Sequence, residues 1–399
     1  MASSSPTLTD SVQFPAQMDV AKTFYGIGIV GLIASSFGFF LNSKQFFYSY
    51  LTSFTFFTSI ALASLILVMI HHVTKSSWGT VMRRIPESFL ANIGIWSVFM
   101  IPILLGMTSL YKWTSTEYVM NDPIMVGKIP YLNEPFFVIR QFIYFGIWGF
   151  LGHKLHKISV EMDRTNDWGL TVLLRKFSAP GILIFAITVA FASFDWLMSL
   201  DAHWFSTMFG VYFFAMSFQA LFPVIILMVL WMQKKGILNN TIGQAHIYDL
   251  GAWLFGFTVF YAYIAFSQFL LIYYANIPEE TLWYYHRLEG SWAFITYGLL
   301  IGRFILPFIL LLNREPKHNK KLLTFVSILI ITMHLIELHW IVMPVIHYHG
   351  FTLSWLDVTT FIGLGGIFMG LFFHKFRSHN MVPVNDPQLS ESLNKHYHH

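Results

Sequence analysis

Cysteine is missing from all 399 residues, and charge is scarce: only 11% of positions are Asp, Glu, Lys or Arg. Without thiols the chain can hold no thiolate-bound iron–sulfur cluster, no covalently attached c-type haem and no disulfide of its own, so any such redox centre must belong to a partner. Charge this sparse cannot clothe a soluble surface of this size. The opening Met1-Ala2-Ser3-Ser4-Ser5-Pro6-Thr7 lacks a basic stretch leading into a short apolar segment with a cleavage site, so no signal peptide is expected. Nucleic-acid-binding motifs are absent as well, and the net charge of +4 has a different origin, given below.

What is abundant is apolar and aromatic: 55% hydrophobic residues, 42 of them Phe, with a mean hydropathy of +0.58. The expectation is an all-α integral membrane protein. Windows near twenty residues without charge clusters predict ten transmembrane helices, at 24–42, 46–71, 87–110, 135–155, 178–200, 204–232, 246–275, 285–312, 322–346 and 355–374. Residues 1–23 then form an N-terminal segment, 24–376 the membrane domain and 377–399 a hydrophilic tail expected to be mobile. Pro86, Pro135 and Pro278 fall at helix starts, where a missing N–H costs nothing. Pro102, Pro180, Pro223, Pro307 and Pro344 fall inside spans, where the carbonyl each one frees must find a donor in a packed neighbour or water.

The basic residues set the orientation. One side of the predicted topology, that of both termini, holds Lys22; Lys75, Arg83 and Arg84; Lys154, Lys157, Arg164, Arg175 and Lys176; Lys234 and Lys235; Arg314, Lys317, Lys320 and Lys321; and Lys375, Arg377 and Lys395. The other side has Lys44, Lys112, Lys128 and Arg287. The positive-inside rule therefore predicts cytoplasmic termini, and the basic balance reports topology. Two basic residues are left over, Arg140 and Arg303, inside the fourth and eighth spans.

Ionisable groups at membrane depth mark ion, proton or substrate routes more often than in soluble cores. Asp195 lies about 9 Å below Asp201 if the fifth helix continues at 1.5 Å per residue. Asp201 and His203 serve equally well as caps of the turn into the sixth helix, with Asp201 as its N-cap. His334 and Glu337 share a face of the ninth helix at i, i+3. That pair is read as proton-accepting, against a structural hydrogen-bonded cluster and, more remotely, haem ligation, which would want an axial His at matching depth on a facing helix, where helix ten offers none until His374 at its far end. Glu289 belongs to the outer rim or to a route. Arg303 pairs with Asp249 or reaches for the interface. Arg140 reads as a rim residue beside Glu134, and Glu87 as a first-turn acid near Arg83 and Arg84. Ordered by depth, Asp249 and Arg303, then His334 and Glu337, then Glu289, Asp195, Asp201 and His203 form a broken ladder that Tyr261, Tyr263, Tyr297 and water could bridge. One weak echo joins the halves: Asp195-Trp196 near the outer end of the fifth helix, and Glu337-Leu338-His339-Trp340 near that of the ninth.

The run Phe194-Asp195-Trp196-Leu197-Met198-Ser199-Leu200-Asp201-Ala202-His203-Trp204-Phe205-Ser206-Thr207, continued by Met208-Phe209-Gly210-Val211-Tyr212-Phe213-Phe214-Ala215, resembles the NrfD-like, or polysulfide-reductase-type, membrane subunits. More narrowly it is similar to the second of the two such subunits in bacterial alternative complex III, a quinol:electron-acceptor oxidoreductase. The resemblance implies two four-helix bundles, helices two to five and six to nine, flanked by helices one and ten. It also implies a bacterial inner membrane and partners: a multihaem cytochrome c carrying haem c, an iron–sulfur subunit, a sister NrfD-like subunit that oxidises quinol, and small membrane-anchored chains. Where the sister has a histidine in helix three and an aspartate in helix four, this chain has Leu105 and Ile139. It is therefore expected to hold no redox cofactor itself, and to be a structural subunit with a proton pathway. A quinone-binding redox subunit and a stand-alone secondary transporter are the alternatives.

Overall fold

The computed structural model describes Leu8, Asp10–Pro15 and Gln17–Lys395, and among these residues there are helices, turns and no strands. Ten helical segments are long and apolar enough to cross a membrane: α1 (Val20–Leu41), α2 (Ser43–Thr74), α3 (Arg84–Leu105), α4 (Glu134–Thr165), α5 (Leu170–Leu200), α6 (Phe209–Lys234), α7 (Gln244–Ala275), α8 (Trp292–Leu311), α9 (Lys320–Val345) and α10 (Trp355–Arg377). An even number of crossings puts both ends of the chain on one face, called here the terminal face; the opposite is the far face. The protein is thus an all-α, multi-pass membrane protein.

Hydropathy located every span but misplaced some ends. Segments α4 and α5 run on to Thr165 and back from Leu170, because the polar stretch between them still has helix-forming residues that a hydropathy window reads as loop. The predicted eighth span divides instead into a helix over Pro278–Leu288 and α8 proper. Gly290, at φ +55°, makes the turn between them, a left-handed conformation that costs glycine nothing.

Segment α2 sits at the centre. Of its most apolar stretch 94% is buried, against 22% for α1, and it packs on α3, α5, α6, α9 and α10. Around it, α4 packs on α3 and α5, α7 on α6 and α8, α9 on α6 and α8, and α5 on α6. Being surrounded by protein rather than lipid, α2 can carry a buried series of hydroxyls, among them Ser49, Ser53, Thr58, Ser59 and Ser64. The first and last spans pair tightly. Gly28 of α1 meets Gly366 of α10 so closely that a Cβ on Gly366 would lie 2.4 Å from the Gly28 nitrogen. Small residues at such crossings let two helix backbones touch where lipid offers no hydrophobic drive.

Two of the interior prolines explain side-chain contacts elsewhere. Pro307 cannot donate to the carbonyl of Arg303; a π-helical turn over Leu300–Ile305 precedes it, and Gln219 Nε2 donates to that carbonyl at 3.4 Å. Pro344 likewise frees the carbonyl of Trp340, which Arg287 Nε serves at 3.1 Å.

The hydrophilic tail, expected to be mobile, is anchored as far as the described residues go. Met381 and Val382 are buried, Met381 N donates to Val12 O at 2.7 Å, Asn385 Nδ2 donates to Asp163 O at 2.8 Å, and Lys395 pairs with Asp249. Composition missed this because a few buried contacts suffice to hold a polar segment against a polar face.

Candidate functional site

Among the described residues three ionic clusters are buried. The first joins α4 and α5 near the far face. Arg140 grips Asp195 with two parallel bonds, Nε to Oδ2 and Nη2 to Oδ1, both 2.8 Å. Tyr131 and Tyr144 donate their hydroxyls to the same carboxylate at 2.9 Å each. The guanidinium also donates from Nη1 to Tyr131 O at 2.9 Å and stacks on the Tyr131 ring, 4.0 Å from its centroid. Asp195 is fully buried and Arg140 nearly so. A bidentate, charge-assisted pair with every lone pair occupied is the geometry in which a buried ion pair can offset the loss of water.

The second cluster joins α6, α7, α8 and α9. Glu337 lies about 12 Å below the far end of α9. It pairs with Arg303, accepts from Tyr212, and accepts from Tyr261 at 2.6 Å. Arg303, wholly buried in the π-helical turn, donates from Nε to Gln219 Oε1 at 2.9 Å and from Nη2 to Met216 O at 2.8 Å, and lies over the Tyr261 ring. Its Nη2 is 3.1 Å from His334 Nδ1, and His334 Nε2 is 2.9 Å from Ser59 Oγ on α2. Both ring nitrogens of His334 are therefore within hydrogen-bond reach of a protein group.

The third cluster lies at the terminal face. Arg83 donates to Glu87 Oε1 at 2.9 Å and to Asp386 of the tail at 2.5 Å; Arg84 donates to Glu87 Oε2 and to Asp163, both at 2.6 Å. Ser159 Oγ donates to Glu87 Oε1 at 2.9 Å. Burial works against charge on both Arg83 and Asp386, but the ion pair outweighs it, holding the guanidinium's pKa above and the Asp386 carboxyl's below their ordinary values. His379 nearby is pushed down to about 4, by burial first and then by Lys375, and is neutral at pH 7. Its ring lies 4.9 Å from that of His156.

Against the sequence expectations, the structure regroups several residues. Arg303 pairs with Glu337 and Asp249 with Lys395, so the Arg303–Asp249 pair is replaced by two others. Arg140 leaves the rim for Asp195. Asp195 and Glu337 are both buried, yet their clusters share no hydrogen bond, so one continuous ladder through both is not what the side chains build. Tyr261 donates to Glu337 and lies under Arg303, whereas Tyr263 and Tyr297 are exposed on the outer surface. Glu289 is exposed at the end of the Pro278–Leu288 helix. Asp201 does not cap α6, whose N-cap is Met208. It lines two far-face cavities instead. One, of about 310 Å³, is also lined by Tyr131; the other, of about 140 Å³, by His203, His286 and Arg287. His203 pairs with Asp122 and lies 3.3 Å from Tyr118 Oη. Glu87 keeps the partners that its position predicted.

Arg140, Tyr131, Tyr144, Tyr212, Gln219 and Ser59 were not among the candidate residues. One signal did point to the two arginines: they are the basic residues left inside spans once the loops are counted, each one span before a buried acid. No protein-family model matches the chain, and no curated protein matches its sequence.

Proposed function

We propose that this chain is a membrane subunit of a quinol-oxidising respiratory complex of the NrfD-like, alternative complex III type. It lies in a bacterial inner membrane with both termini cytoplasmic, carries no redox cofactor itself and supplies a transmembrane proton pathway. Its partners are a multihaem cytochrome c, an iron–sulfur subunit, the sister quinol-oxidising subunit and small membrane-anchored chains. Helices two to five and six to nine act as two four-helix units, a division supported by the way each half encloses its own ion pair.

The observation that carries the reading is the series Ser59, His334, Arg303, Glu337, Tyr212 and Tyr261. These groups are buried at membrane depth, and each is within hydrogen-bond reach of the next or of the shared carboxylate. Of the buried hydroxyls of α2, Ser64 alone lies between Ser59 and the terminal face, so a proton arriving from that face would need water to reach Ser59 and then His334, whose imidazole can accept at one nitrogen and release at the other. Glu337 would take it when Arg303 or a phenol lets go. On the far side, Tyr131 links Asp195 to the cavity that Asp201 shares, a route of exit. Water must span the interval between the two clusters. Orientation is supported by the basic side chains gathered at the terminal face.

A quinone-binding role is disfavoured by two features. Leu105 and Ile139, at the positions where the resemblance puts the sister's quinol groups, are 79% and 53% exposed on the outer surface. A lipid-side groove of about 400 Å³ beside α1, α2 and α3 does exist, but Tyr50 Oη, Ser35 Oγ and Ser36 Oγ each already donate to main-chain carbonyls. Such a groove suits a hydrocarbon chain better than a quinone ring.

The deciding experiment is mild-detergent purification of a tagged chain with haem staining and identification of what co-purifies. A c-type cytochrome and an iron–sulfur protein are expected. A lone, colourless oligomer would overturn the respiratory reading in favour of a secondary transporter.

A further inference from the structure

The terminal-face ends of α6 and α9 enclose a groove of about 790 Å³, separate from all three ionic clusters. Its lining has two chemistries. Lys234, Lys320 and Lys321 stand at the solvent end, all exposed, while Leu227, Leu230 and Trp231, one to two turns further into the membrane along α6, are only partly covered. Three cations above an aliphatic and indole wall at the edge of a membrane-spanning bundle match a molecule with an anionic head and a hydrocarbon body. We propose that this groove is a binding site for an anionic glycerophospholipid, its phosphate held by the three lysines and an acyl chain lying along Leu227 and Leu230.

The groove is held in shape independently of any ligand. Lys320 Nζ donates to Gln233 Oε1 at 2.8 Å, and Gln233 Nε2 donates to Ile242 O at 2.7 Å, so α6, α9 and the loop into α7 are tied together at its rim. The lysines themselves are placed against ordinary preference. Lys320 and Lys321 open α9, which has no acid in its first turn. Cations there oppose the helix dipole, and a phosphate between them would turn that opposition into attraction. None of the three lysines forms an ion pair among the described residues, and Asp10, at the loop beside the groove, is turned to the main-chain N–H groups of Asn240 and Thr241 at 2.8 Å, its pKa lowered below the ordinary value: burial raises it, but those hydrogen bonds outweigh the effect. It does not neutralise the lysines.

The test is native mass spectrometry of the full chain, in whatever assembly it purifies, after exchange into detergent containing phosphatidylglycerol, cardiolipin or phosphatidylcholine in turn. Retention of the anionic lipids over phosphatidylcholine is expected to be about tenfold or more, given the attraction of each lysine near a membrane surface. The triple variant K234Q/K320Q/K321Q should lose that preference. Leu230→Trp, which fills the acyl wall and leaves the charges in place, should reduce retention as well. Equal retention of phosphatidylcholine, or unchanged retention in both variants, would overturn the proposal. So would full displacement by millimolar inorganic phosphate, since that would mark a site for a free anion and not for a lipid.

Discussion

The Asp195 and Glu337 clusters are built alike and connected differently. Each sets an arginine on one span against an acid on the next, Arg140 on α4 with Asp195 on α5, and Arg303 on α8 with Glu337 on α9. Each acid also accepts from two tyrosines. In the first cluster both carboxylate oxygens are saturated and the only way on is outward, through Tyr131 to a far-face cavity. In the second, the arginine spends its remaining donors on Gln219, a main-chain carbonyl and His334, and His334 reaches Ser59 on the central helix. One is a clamp that faces out, the other a chain that leads in. The same three side-chain types, arginine, acid and tyrosine, end at the far face in one cluster and lead to the central helix in the other, according to what the arginine touches next.

Removing one arginine should break the comparison most severely. Arg303→Leu strands a buried carboxylate, and Arg140→Leu does the same for Asp195; a loss of about 3–5 kcal/mol each is expected from breaking a buried pair. Thermal melts in detergent should show both drops. If Arg140→Leu melts like the parent protein, the first cluster is no clamp.

If the proposed proton pathway runs through Glu337, conduction separates the two more sharply than stability does. In proteoliposomes with a pH-sensitive dye, Glu337→Gln should remove proton flux through the purified complex. His334→Phe, which keeps the ring volume near Phe56 but drops both hydrogen bonds, should slow it severely. Asp195→Asn should lower the melting temperature and leave more flux than Glu337→Gln. The reverse order would exchange the roles assigned to the clusters.

A smaller effect is expected from the phenols. Tyr261→Phe and Tyr144→Phe each delete one hydrogen bond to a carboxylate, worth about 1.5–3 kcal/mol when the acceptor is charged. Tyr261→Phe should also slow flux, and Tyr144→Phe should not.

The smallest effect concerns the tail. The pKa of Asp386 is lowered in the folded state, so its contribution to holding the tail is fully present above the ordinary carboxylate range. It is lost as pH falls through the lowered value. The protection factors of amides 381–395, referred to the intrinsic exchange rate at each pH, should therefore be unchanged between pH 7 and about pH 5 and fall only in stronger acid. A fall already at pH 6 would point to the histidines instead.

Much of this was legible in the sequence, for physical reasons that also explain the gaps. Ten spans follow from hydropathy because the bilayer demands long apolar helices. Asp195, His334 and Glu337 stood out since an ionisable group in such a helix is costly. Their arginines were visible as residues but not as partners: 55 and 34 positions separate each pair, and nothing local says which helix faces which. Glu87 could be paired with Arg83 and Arg84 from sequence because a single helical turn brings them together. The Gln219 contact needed the packing of α6 against α8, and the tail's docking needed the shape of the terminal face.

The close crossing of Gly28 with Gly366 has a consequence for how the chain is made. Segment α1 leaves the ribosome well before its glycine-lined partner, with roughly 300 residues of synthesis between them. At about 5–20 residues per second, α1 waits in the lipid for something like a quarter of a minute to a minute before α10 exists. During that wait its glycine face is open to any other small-residue helix. Segment α10 is therefore the latch on α1, and an error at Gly363 or Gly366 would be felt only after the nine spans before it had been built.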